Sequence, residues 1–143
     1  EGLDLRDIIH HALQSHSRQI QSSELTLMLK LPESCPLTGN KDSLHWMVNN
    51  VISNAVKFSP SGDSIRISLL HEEERIILEV ENTASYPDDA DFDSICEPFT
   101  RLSSTTAPGF GLGLAIACRA AERHGGTLVA DRGNQGFLVR ISL

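Results

Sequence analysis

Two carboxamides and an ammonium group share one face of a segment that reads as a helix. Asn50, Asn54 and Lys57 stand at i, i+4 and i+7, which at about 100° per residue places them within roughly 60° of one another. Leu44, Val48, Val51, Ile52 and Ala55 centre on a separate arc, about 120–140° away by the same arithmetic. One stripe is patterned to pack and the other to present polar groups. Asn carbonyl oxygens are hard, neutral ligands that suit Mg²⁺, and a Lys ammonium suits phosphate as a point charge. A solvated polar face gives the same spacing. A second segment, PGFGLGLA over 108–115, carries Gly109, Gly111 and Gly113 straight into a helical pattern. Glycines let backbone N–H groups approach a phosphate closely, and a helix N-terminus favours the anion. Glycines also make plain turns. The segment is not a P-loop, because no Gly-Lys-Ser/Thr follows, and no strand immediately precedes it as a dinucleotide fingerprint requires.

Other chemistries find little support in the chain. Of six histidines, His10, His11, His16, His71 and His124 read as solvated helix or turn residues. His45 lies on the polar-striped helix, where a plain structural role fits it at least as well as a part in a reaction. No His/Cys cluster has metal-ligand spacing. Cys35, Cys96 and Cys118 are odd in number and form no CxxC pair, so they read as reduced thiols of a cytosolic domain. A net charge of -7 and 5% aromatic residues oppose a nucleic-acid surface, which needs a basic face and stacking platforms. No run of roughly 18 apolar residues is present to span a membrane. With 143 residues, 40% of them hydrophobic and 22% charged, the chain has the make-up of one globular domain. It opens at Glu1 without an initiator Met, as expected of a segment of a longer protein.

The elements that must position these groups follow from periodicity. Leu5, Ile8, Ile9, Ala12 and Leu13 predict a first helix, with Asp4 as its cap and Asp7 in its first turn. Leu25, Leu27, Leu29 and Leu31 alternate with polar residues as a half-buried strand does, and Pro32, Pro36 and Gly39 end it. The polar-striped helix is predicted from about Asp42 to Phe58, stopped by SPSG at 59–62. Alternation predicts strands around Ile65–Leu69 and Ile76–Val80, joined by the charged turn 71–75. From Asn82 to Phe110 there is little periodicity, and a stretch that long is expected to be functional. A third helix begins near Gly113 and ends at Gly125 and Gly126. Strands around Thr127–Ala130 and Phe137–Leu143 close the chain. The order predicts an α+β, two-layer sandwich: a mixed, mostly antiparallel sheet of about five strands, covered on one face by three helices.

Taken together, these segments resemble the ATP-binding catalytic domain of two-component sensor histidine kinases, within the GHKL superfamily and its Bergerat fold. LHWMVNNVISNAVKFS over 44–59 looks like that family's N box, EPFTR over 97–101 like its F box, and GFGLGLA over 109–115 like its G2 box. Their order and spacing fit as well, and the likeness covers essentially the whole chain. The resemblance implies roles by position. Asn54 would coordinate the Mg²⁺ that bridges the nucleotide phosphates, with Asn50 assisting, and Lys57 would contact phosphate. Phe58 stands where Tyr is frequent, beside the nucleoside. Gly109, Gly111 and Gly113, with Leu112 and Leu114 between and after them, would wrap the triphosphate. Residues from about 100 to 108 would form a short ATP lid. Arg101 is placed to reach phosphate or the partner helix, and a solvated surface arginine fits it equally.

One motif departs from the pattern. The family's G1 box reads Asp-x-Gly-x-Gly after a strand, and its Asp accepts a hydrogen bond from the adenine amino group. Within 80–87 this chain has Asn82 at the Asp position and Ala84 and Tyr86 at the glycine positions. Asn keeps a carbonyl acceptor but loses the charge-assisted bond, and its NH₂ opposes the adenine amino group if flipped. Asn82 also suits a plain turn. Asn50 bears on the reaction. Hydrolysing members of the superfamily carry Glu there to activate water, and Asn cannot act as a general base. A histidine acceptor needs no such base, so the resemblance implies phosphoryl transfer by positioning and charge neutralisation.

The implied partners are a dimerisation domain bearing the acceptor histidine, in the same protein, and a response regulator. The isolated domain would be a monomer and the full-length protein a homodimer. The implied location is the cytoplasmic side of a bacterial inner-membrane sensor. A degenerate domain that binds nucleotide weakly or not at all and serves as a docking or phosphotransfer scaffold is the alternative, favoured by Asn82, Ala84 and Tyr86.

Overall fold

The computed structural model describes residues 2–83, 112–133 and 136–143. Among them are strand β1 (Gly2–Asp4), helices α1 (Leu5–Ser15) and α2 (Ser17–Ser22), strands β2 (Thr26–Lys30) and β3 (Pro36–Thr38), and helix α3 (Lys41–Phe58). Strands β4 (Ser64–Glu72) and β5 (Arg75–Thr83), helix α4 (Leu112–Arg123), and strands β6 (Thr127–Arg132) and β7 (Gly136–Ser142) follow. Five strands form one sheet in the order β2-β4-β5-β7-β6. The β2–β4 pair is parallel and the others are antiparallel. A parallel pair needs a crossover, and α3 lies in the one between β2 and β4. The expected α+β sandwich with a mixed sheet is therefore present.

Period-2 alternation sends Ile65, Ile67 and Leu69 of β4, Ile76, Leu78 and Val80 of β5, and Phe137, Val139 and Ile141 of β7 into the core. They meet Leu5, Ile8, Ile9, Ala12 and Leu13 of α1, Leu44, Met47, Val48, Val51, Ile52 and Ala55 of α3, and Leu114, Ala117 and Ala121 of α4. The other sheet face carries ion pairs between neighbouring strands: Arg66 with Glu81, and Arg140 Nε with Glu79 Oε2 at 2.7 Å.

Helix ends follow the expected chemistry. Asp4 caps α1, its Oδ1 accepting the Arg6 N–H at 2.9 Å and the Cys35 N–H at 3.0 Å. Asn40 caps α3 by accepting the Ser43 N–H at 2.8 Å. After α4, the Gly126 N–H donates to Ala121 O at 2.9 Å and the Gly125 N–H to Glu122 O at 3.0 Å, with Gly125 at φ +76°. That is the paired closure that glycine past a helix end permits. Gly126 itself is fixed by space, because a Cβ there would sit 1.9 Å from the Ser142 carbonyl oxygen.

Several boundaries differ from expectation. A six-residue helix, α2, adds to the three expected, and too few turns exist there to show periodicity. β1 and β3 form a two-stranded ladder of three residues each, again too short to alternate visibly. The β4–β5 turn is tighter than 71–75: β4 runs to Glu72, β5 starts at Arg75, and Glu73 takes φ +53°. β5 continues past Val80 to Thr83, so Asn82 belongs to a strand and not to a loop. The expectation of reduced thiols holds for Cys35, which is buried and free, with burial and then the Asp4 charge raising its pKa. It fails for Cys118, which is disulfide-bonded; distance along the sequence says nothing about the short Cα separation a disulfide needs.

Candidate functional site

Chain connectivity brings three candidate elements to one end of the sandwich. α3 ends at Phe58, and the connection 59–63 leads directly into β4 at Ser64. Ile65, the second residue of β4, pairs with Asn82 of β5, which in turn pairs with Phe137 of β7. Asn54, Lys57 and Phe58 therefore lie at the same end as Asn82. α4 completes the group. Its C-terminal His124 touches the start of α3, where the Asn40 N–H donates to His124 Nε2 at 3.1 Å. The two helices pack against each other, and with the end of one against the start of the other they run antiparallel. That sets the α4 N-terminus, with Leu112 and Gly113, beside the C-terminal half of α3.

The polar stripe on α3 stands as the spacing predicts. Asn50 and Asn54 are partly buried and Lys57 is exposed. Among the described residues, neither carboxamide has a hydrogen bond. Lys57 Nζ lies 6.0 Å from the centroid of the Phe58 ring, at the outer limit of a cation–π contact. Leu44, Val48, Val51, Ile52 and Ala55 occupy the opposite side of α3 and are buried.

Asn82 is 1% exposed, and its Nδ2 is a buried donor that finds no partner among the described residues. The inward series Ile76, Leu78, Val80 reaches Asn82 two residues on. That period-2 continuation is the signal that would have placed Asn82 on the core face. Next to it, Glu81 points to the other face, is 1% exposed and pairs with Arg66.

Leu114 is buried in the core at the first turn of α4. Arg101, Gly109, Gly111, the F box and the lid fall outside the described residues, as do Ala84 and Tyr86.

His10, His11 and His71 are exposed as expected, and His16 and His124 are less solvated than expected. His16 Nε2 lies 3.1 Å from Asn49 Oδ1. His124 is held at both ring nitrogens, Nδ1 lying 2.8 Å from Ala120 O. With Nε2 accepting from Asn40, the proton sits on Nδ1. His45 packs edge-on against His11 of α1, ring centroids 5.2 Å apart. Burial holds the His45 pKa below its ordinary 6.5, with the His11 and Lys41 charges adding to the fall and Asp42 opposing it.

An open depression of about 660 Å³ lies at the other end of α3, lined in part by Asn40, Trp46, Arg123 and His124. Asn40 and Asn54 are about 20 Å apart at about 1.5 Å of rise per residue, so this depression is centred away from Asn54 and Lys57, with Trp46 one turn before Asn50 at its near edge.

Comparison with known proteins gives the family to which this fold belongs. Residues 39–143 match the family of histidine kinase-, DNA gyrase B-, and HSP90-like ATPases, and the chain belongs to that family. It is 28% identical over 131 residues to the signal transduction histidine-protein kinase BaeS of Escherichia coli (strain K12), covering 90% of this chain and 28% of BaeS. The mycobacterial sensor histidine kinase MprB is similar in structure, with a TM-score of 0.88, 26% identity and coverage of 100% of this chain and 95% of that one. The histidine kinase ThkA, solved in complex with the response regulator TrrA, shares the fold at a TM-score of 0.85 and 16% identity, over 100% of this chain and 41% of that one. The chain thus spans less than a third of BaeS. Among the described residues no helix is long and apolar enough to cross a membrane.

Proposed function

We propose that this chain binds ATP with Mg²⁺ and transfers the γ-phosphoryl group to a histidine on a separate dimerisation helix domain, as the catalytic module of a sensor histidine kinase. The observation that carries this is the uncommitted polar stripe of Asn50, Asn54 and Lys57, set at the same end as Asn82 and the start of α4. The donor set fits the cofactor: two neutral carboxamide oxygens suit Mg²⁺, which keeps several waters and takes its other ligands from phosphate. When bound, Mg²⁺ supplies charge neutralisation at the phosphates.

Asn54 would hold the metal with Asn50 assisting, and Lys57 would bind phosphate. Phe58 would lie beside the nucleoside and Asn82 would read the base. Backbone N–H groups of Gly109, Gly111, Leu112, Gly113 and Leu114 would face the phosphates at the α4 N-terminus, where the helix dipole favours an anion. Arg101 would reach phosphate or the partner helix. Asn50, lacking a basic carboxylate, leaves water unactivated, which favours an imidazole acceptor over hydrolysis. The BaeS and MprB likenesses support the kinase assignment, and the ThkA–TrrA complex supports a response regulator as the downstream partner. A cytoplasmic place within a membrane-bound homodimeric sensor fits the same reading.

Calorimetry of the chain with a non-hydrolysable ATP analogue and Mg²⁺ tests the first step. Saturable heat is expected; no heat at millimolar nucleotide would remove the proposal in favour of a scaffold that keeps the fold without the ligand.

A further inference from the structure

The base-reading position carries an oddity that ATP binding alone does not explain. Asn82 stands on the core face of β5, between Ile65 on one neighbouring strand and Phe137 on the other. Both neighbours are 1% exposed and apolar. Nothing lateral can satisfy the amide, and its Nδ2 is buried without a partner among the described residues. Buried polar side chains are as a rule hydrogen-bonded, and an orphaned donor marks a place where an acceptor belongs. Adenine offers an amino group at position 6, which is a donor. A carboxylate there is acceptor-only and would select adenine while repelling a carbonyl. A carboxamide holds a donor and an acceptor, and its terminal torsion is roughly two-fold. It meets an amino group with Oδ1 and a carbonyl with Nδ2.

We infer that Asn82 makes this base subsite accept purine nucleoside triphosphates with a carbonyl at position 6 at least as readily as adenine nucleotides. The inference rests on the nucleotide-site reading above and deepens it by naming the substrate class. The selectivity of a site follows from which buried polar groups a ligand leaves unpaired. With Asn82 the 6-oxo base pairs the orphaned donor, and with Asp it would face a second acceptor.

ITP is the probe, because it differs from ATP only in carrying a carbonyl at position 6 and, with it, a proton on N1. The full 143-residue chain, wild type and Asn82→Asp, is titrated with ATP and with ITP in the presence of Mg²⁺, folding of each variant being checked by circular dichroism. The wild type is expected to bind ITP within about threefold of ATP or more tightly, and Asn82→Asp to favour ATP over ITP by about tenfold or more. Asn82→Ala, which removes donor and acceptor together, serves if the Asp variant fails to fold. It is expected to weaken both nucleotides by a similar factor. A wild type that prefers ATP by tenfold overturns the inference and leaves the nucleotide site standing, as does an ATP/ITP ratio that Asn82→Asp does not change or that Asn82→Ala does change. Binding of neither nucleotide to any variant at millimolar concentration overturns the nucleotide site and the inference with it.

Discussion

The two ends of the α3–α4 pair treat polar groups in opposite ways. At the start of α3 the groups that join it to α4 are paired. The Asn40 side chain accepts from Ser43, its N–H donates to His124, and the His124 ring reaches back to Ala120. Gly39 is required to be small there, since a Cβ would come within 2.7 Å of the His124 ring. The depression at that end is walled in part by groups whose bonds are already made. At the other end, Asn50 and Asn54 have no hydrogen bond among the described residues, and Asn82 buries a donor with none. Leaving a buried donor open costs about 1–3 kcal/mol. The contrast separates closure from recognition. Polar groups are saturated where two helices must be locked together, and left open where a ligand would complete them.

Substitutions can break this comparison from either side. The largest effect is expected at the open end. Asn54→Asp or Lys57→Ala should lower phosphoryl transfer by about 10²–10³-fold, or roughly 2.7–4 kcal/mol, with stability shifted by less than about 0.5 kcal/mol as for surface changes. Phosphorylation of a histidine-bearing dimerisation domain supplied in trans and chemical denaturation measure the two quantities, and wild-type phosphorylation would refute the assignment. Next comes Gly126→Ala, which should destabilise by about 1–3 kcal/mol through collision with the Ser142 carbonyl. Unfolding in urea reads it, and it should leave the affinity of the folded fraction for nucleotide unchanged. Asn40→Ala should cost about 1 kcal/mol through loss of the α3 cap, again with nucleotide affinity intact; a matching loss of affinity would mean the ends are not separate.

The smallest effect concerns His45, which lies between the ends. Its folded pKa is depressed, so the unfolded chain binds the proton more readily, and stability should rise with pH through that window and fall on acidification below about 6.5. Melting temperatures of the wild type and His45→Gln across this range check the sign. A wild-type dependence no steeper than that of the variant would assign the titration elsewhere.

Much of this was legible in the sequence because it rests on local periodicity. The α3 stripes, the α1 core face, the Asp4 cap and the glycine stop of α4 each follow from spacing within a few turns. Asn82 is half legible: its correspondence with the family's Asp comes from resemblance, but its burial needs the β5 alternation to be carried two residues past Val80. The His124–Asn40 bond joins residues far apart in sequence and depends on α3 and α4 lying antiparallel, which periodicity does not encode. The short elements α2, β1 and β3 hold too few residues to show a period. The bonding of Cys118 is not legible for a related reason, since pairing depends on proximity in space.

The central claim is that the open end, and not the saturated one, receives the nucleotide. Side-chain amide and backbone NMR of the chain during titration with a non-hydrolysable ATP analogue and Mg²⁺ tests it directly. Saturable shifts at Asn50, Asn54 and Asn82, with Asn40 and His124 unmoved, are the predicted result. Shifts centred on Asn40, Trp46 and His124, or none at millimolar nucleotide, would contradict it.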